Sequence, residues 1–94
     1  MSVVVANKLS GGSQEIYDSV SEKVAPGETL PDGCQVHIAG PVEGGWQVIT
    51  VWDSEDKFHQ FRNEKLIPAL NEVAGEGSVA PNVEVNTVYR LLTA

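Results

Sequence analysis

The ten residues Gly45-Trp46-Gln47-Val48-Ile49-Thr50-Val51-Trp52-Asp53-Ser54 constrain this chain more than any other stretch. Val48, Ile49 and Val51 are apolar and β-branched, which suits a strand buried on both faces. Asp53 or Ser54 can cap a helix that starts at once, and Glu55 and Asp56 suit its positive end. Trp46 and Trp52 have the same parity on the strand, so they point to one side of the sheet. A pocket is expected on that side.

The rest of the chain supplies matching elements. Residues 2–9 read as a first strand, with Val3, Val5 and Asn7 on one face and Val4 and Ala6 on the other. Ser13 is an N-cap for a helix to about Val24, whose apolar stripe is Ile16, Tyr17, Val20 and Val24. Residues 25–33 carry two prolines and two glycines and read as a loop. Residues 34–39 form a second strand, joined through residues 40–44 to the Trp-rich one. Phe58 and Phe61 are an inward pair on the second helix. Pro68 predicts a break near residues 64–67, then a short helix over 68–73. Residues 75–81 read as a loop. Residues 82–92 read as the last strand, with Val83, Val85, Thr87 and Tyr89 on one face.

Strand, helix, strand, strand, helix, strand is the ferredoxin-like βαββαβ order. It implies a single domain over residues 1–94, an α+β fold with a four-stranded antiparallel sheet and two helices on one face. The other face would carry Val4, Ala6, Val36, Ile38, Ile49 and Val51. Such a patch calls for cover, and a homodimer with sheets packed face to face supplies it.

Composition narrows the function classes. Thirteen acidic and six basic side chains give a net charge of −7, with no Lys/Arg cluster. Nucleic acid and anionic membrane are therefore not expected partners. The single Cys34 fits a reducing compartment and reads as a buried, inert thiol. No signal peptide or apolar span is legible, so a cytoplasmic protein is expected. Two histidines without recurring ligand spacing argue against a metal. No phosphate-binding glycine loop is present. Nothing supports a flavin, and no cofactor is expected.

The segment Val48-Ile49-Thr50-Val51-Trp52-Asp53-Ser54-Glu55-Asp56-Lys57-Phe58 resembles the strand, tryptophan, acidic-serine cap and inward-Phe helix of antibiotic-biosynthesis monooxygenase-like proteins. These are small members of the dimeric α+β barrel superfamily. Val5-Ala6-Asn7-Lys8-Leu9 resembles the first strand of members with an inward asparagine. The resemblance covers the whole chain. It implies a cavity between sheet and helices in each subunit, lined at Asn7 and Trp52. Members of the family differ in function: they include cofactor-independent oxygenases of polyketide quinols, polyketide cyclases, haem-degrading monooxygenases and proteins with no known activity. Haem-degrading members carry an axial histidine about three turns after the tryptophan. Here Arg62 stands near that place and His59 lies a turn too early, which argues against haem.

Each candidate site residue has two readings. His37, on the face opposite Val36 and Ile38, is a general base near neutral pH or a buried histidine with a structural partner. Asn7 orients a substrate oxygen or bonds to the backbone or to Thr50. Trp46 and Trp52, with Thr50 and Phe61, wall a site for a small aromatic molecule or simply fill the core. Tyr17 and Tyr89 turn their hydroxyls into the cavity or keep them at the surface. Arg62 pairs with Glu55 or a helix-one carboxylate, or holds a ligand's negative charge. The expectation is an enzyme acting on an aromatic or polyketide-like substrate through proton abstraction by His37. The alternative is a non-catalytic binding module of the same fold.

Overall fold

A computed structural model describes residues 1–76 and 80–94. The strands are β1 (Val3–Ser10), β2 (Cys34–Val42), β3 (Gly45–Trp52) and β4 (Ala80–Thr87). They form one antiparallel sheet in the order β2-β3-β1-β4. Helix α1 (Gln14–Val24) follows β1, and α2 (Glu55–Phe61) follows β3. A π-turn at Arg62–Leu66 then leads into α3 (Ile67–Ala74). This is the ferredoxin-like α+β fold.

Local chemistry sets the helix starts. The Ser13 hydroxyl accepts from the Ile16 N–H at 3.2 Å, and the Ser54 hydroxyl from the Lys57 N–H at 3.3 Å. Lys23 and Glu72 join α1 to α3 at 2.9 Å. Both are largely exposed, so the pair contributes about 0–1 kcal/mol.

Three boundaries differ from the sequence-based expectation. The second helix does not break before Pro68. Phe61, Arg62, Leu66 and Ile67 all keep right-handed helical dihedrals, and the Ile67 N–H reaches back five residues to the Arg62 carbonyl. The wider turn takes up the strain a proline ring imposes on the preceding turn. The second strand runs past Ala39 to Val42, leaving Glu43 and Gly44 as a two-residue turn. Pro41 is tolerated because β2 is an edge strand, paired only to β3. The last strand ends at Thr87 rather than near Leu92, because its partner runs out: Thr87 pairs with Val3, where β1 begins. Tyr89, beyond it, is 95% exposed and belongs to no sheet face. The expected loop at residues 75–81 lies partly outside the described residues, and its last two residues are the start of β4.

Alternation along β1 is clean. Val3, Val5, Asn7 and Leu9 are buried under the helices, and Lys8 and Ser10 are exposed on the opposite face. The register places Val36, Ile38, Ile49, Val51, Val4 and Ala6 together on that outer face. Across β4 the outer face turns polar, with Asn82, Glu84 and Asn86. No helix among the described residues is long and apolar enough to cross a membrane.

Candidate functional site

Under the helices the core is divided. Leu9, Val20, Ala69 and Leu70 form one cluster of buried side chains, and Val3, Val5, Trp52 and Phe58 form another. A cavity of about 90 Å³ lies between them, bordered by members of both. The two buried polar side chains found among the described residues, Asn7 and Thr50, both line it. Polar groups are thus placed where the core is discontinuous.

The π-turn helps to shape the wall. Phe58, Phe61, Leu66 and Leu70 border the cavity. Phe61 and Leu66 are five residues apart and share a face only because the turn between them is wide. Trp52 closes this end, with ring centroids 5.8 Å from Phe58 and 5.3 Å from Phe61. Its indole N–H donates to the Thr50 hydroxyl at 2.8 Å. No hydrogen bond joins Thr50 to the Asn7 Oδ1 among the described residues.

Asn7 is 6% exposed, and its Oδ1 is buried without a hydrogen-bond partner among the described residues. The Trp46 indole N–H is in the same condition. Asn7 and Trp46 both border the cavity, and their unpaired acceptor and donor match a ligand with a hydroxyl and a carbonyl. Unpaired burial costs about 1–3 kcal/mol. Replacing Asn7 with leucine is thus expected to leave stability unchanged or raise it by about 1 kcal/mol while weakening ligand binding. Urea unfolding checks the first half. A loss of more than 1 kcal/mol would mean that Asn7 serves the fold.

The opposite wall holds His37. It pairs across the sheet with Thr50, which fixes it on the helix side. Its Nε2 lies 2.5 Å from the Tyr17 hydroxyl on α1. Tyr17 in turn lies 5.5 Å, centroid to centroid, from Trp46. Partial burial pushes the His37 imidazole below its ordinary pKa, which favours its neutral form. Cys34 also borders the cavity, where burial pushes its thiol up, and its Sγ–H donates to the Val36 carbonyl at 3.4 Å. That is an inert thiol, not a nucleophile.

An outer groove of about 440 Å³ adjoins the cavity. Tyr17, Ser21, Ala25, Pro31 and His37 border both spaces, and Asp18 and Glu22 add acidic groups to the groove.

The structure therefore gathers His37, Asn7, Trp46, Trp52, Thr50, Tyr17 and Phe61 around one space. Arg62 is not among them. It begins the π-turn, and the residues on either side that face inward are Phe61 and Leu66. Nor does Arg62 take up Glu55, whose carboxylate pairs with His59 at 3.0 Å. His59 is exposed on the helix surface. What sequence reasoning missed is the Tyr17–His37 bond. The partners are twenty residues apart, and their meeting depends on how α1 crosses β2.

No protein-family model matches the chain, and no curated protein sequence matches it. Solved structures do. A point mutant of SnoaB, a cofactor-independent oxygenase from Streptomyces nogalater, superposes with a TM-score of 0.67 at 14% identity over 99% of this chain and 98% of that one. Unmutated SnoaB gives 0.64 at 19% identity with the same coverage. A candidate antibiotic biosynthesis monooxygenase from Deinococcus radiodurans gives 0.63 at 16% identity over 98% and 97% of the chains. Together with the sheet order and the helix placement, these likenesses show that the chain has the ferredoxin-like α+β fold found in SnoaB and in antibiotic biosynthesis monooxygenase-like proteins.

Proposed function

We propose that this protein is a small-molecule enzyme acting on an aromatic, polyketide-like carbon acid in the cavity between sheet and helices. The observation that carries this reading is the pairing of unsatisfied, buried Asn7 on one wall with neutral His37 on the other. They sit on β1 and β2, with β3 between, and face Val48 and Thr50 two residues apart on β3, so their backbones are roughly 12 Å apart. That span suits a ring held at both sides. Asn7 and Trp46 hold the substrate's oxygens, and the His37 side takes a proton. The C–H bonding pair stays on the substrate as an enolate. Cyclisation or reaction with dioxygen then follows from the same carbanion, and the likeness to SnoaB favours the oxygenase. No cofactor is required to form the enolate.

The cavity is smaller than the ~150 Å³ space that holds benzene. A polycyclic substrate would lie mainly in the outer groove and put only the edge of one ring into the cavity. The test is oxygen uptake and quinone formation with anthrone as the probe. Wild-type turnover that His37→Gln loses supports the reading. Turnover kept by His37→Gln sinks proton abstraction at this site, and binding without turnover leaves a binding module.

The protein is further proposed to be a cytoplasmic homodimer, joined through the outer sheet face. Ile38 there is 57% exposed in the single chain. Native mass spectrometry is expected to give about 20 kDa, twice the 10.1 kDa chain. Ile38→Glu is expected to give a folded monomer, since it removes no buried side chain. A wild-type monomer at micromolar concentration would overturn the dimer.

A further inference from the structure

We propose that Tyr17, not His37, is the group that touches the substrate, and that it relays the substrate's proton to His37. This rests on the functional reading above and assigns the proton path within it. Neutral imidazole has one N–H and one free lone pair. When the Tyr17 hydroxyl donates to Nε2, 2.5 Å away, that lone pair is occupied and the ring proton sits on Nδ1. His37 then has no free site for a substrate proton. The Tyr17 oxygen does, because a hydroxyl keeps acceptor capacity while it donates.

Placement agrees. Tyr17 borders both the inner cavity and the outer groove, on the wall where the two spaces meet. A substrate reaching from groove to cavity passes the phenol. Trp46 lies beside it and leaves its indole N–H unpaired. The step balances as follows. The substrate C–H bond breaks and its electron pair stays on the substrate as an enolate. The proton bonds to the Tyr17 oxygen. The phenolic proton of Tyr17 moves to His37 Nε2, giving an imidazolium and a restored phenol. No oxidant takes part. Asp18 and Glu22 in the groove favour the resulting positive charge.

Two measurements test the relay. The first is deuterium exchange at the acidic CH₂ of anthrone under argon. Tyr17→Phe is expected to slow enzyme-catalysed exchange about 10²-fold, with anthrone affinity, read by tryptophan fluorescence, changed less than threefold. His37→Gln is expected to slow exchange similarly, and the double variant no further, because the two groups act as one unit. Tyr17→Phe with exchange near wild type beside an inactive His37→Gln would overturn the relay and keep His37 as the direct base. The second measurement is ¹⁵N NMR of His37 in the unliganded protein. The proton is expected on Nδ1, with Nε2 bare in the wild type and altered in Tyr17→Phe. A proton on Nε2 would overturn the relay whatever anthrone does. A wild type that does not accelerate exchange counts against the functional reading, and the NMR result then decides the Tyr17–His37 pair independently.

Discussion

Trp52→Ala is expected to lose about 3–5 kcal/mol of stability, a large share of the 5–15 kcal/mol typical of a domain. Trp52 is 2% exposed and is one of the two most completely buried side chains found among the described residues. It packs against Phe58 and Phe61 and anchors the cluster that contains Val3 and Val5. Truncation would enlarge the existing cavity and leave the buried Thr50 hydroxyl without its indole donor. Trp46→Phe makes the contrast. Its indole N–H has no partner to lose, and it is only partly buried. Its cost is expected to be about 1 kcal/mol or less. Urea unfolding of the two variants measures both. Equal losses would mean that Trp52 is not the keystone described.

The second large effect is on activity. His37→Gln is expected to lower turnover of a carbon-acid probe by about 10²–10⁴-fold, with little change in fold, because the side chain is half-exposed. The pH dependence follows from the direction of its pKa. Burial lowers it, so the neutral form persists below the ordinary value of about 6.5. The acid limb of the rate profile should therefore fall below pH 6.5. The groups facing His37 are Tyr17, Asp18 and Glu22 from α1 and Cys34 from β2, while β3 brings the uncharged Thr50. Asp18 and Glu22 are exposed, and burial sets the direction of the shift. Stability has the matching sign. Above about 6.5, His37 is neutral in both the folded and unfolded states and contributes no pH dependence. As pH falls through that value the unfolded chain takes the proton first, so stability declines until the lower folded pKa is reached. His37→Gln should remove that decline. An acid limb above pH 7 would contradict the burial of His37.

Much of this was legible in the sequence, for identifiable reasons. The strand parity of Trp46, Trp52, Asn7 and His37 follows from a period of two, and β pairing left it intact. Ser13 and Ser54 cap the helices they were expected to cap. Arg62 was expected near the cavity from the resemblance alone, and the residues of this segment that border the cavity are Phe61 and Leu66. Tyr89 was misplaced because strand length depends on where the partner strand begins, which the last strand's own pattern does not encode. The Tyr17–His37 bond has no local signal at all. Nor has the unpaired state of the Asn7 Oδ1.

The most direct test of the central claim, a ligand site between the sheet and its helices, is a ¹H–¹⁵N NMR titration with 1,8-dihydroxyanthraquinone as an unreactive probe. The Trp46 indole N–H and the Asn7 side-chain amide are expected to shift together and saturably. The Trp52 indole N–H, held by Thr50, is expected to stay nearly still. Shifts confined to Ile38, Ile49 and their neighbours on the outer sheet face, or none at all at millimolar probe, would contradict the site.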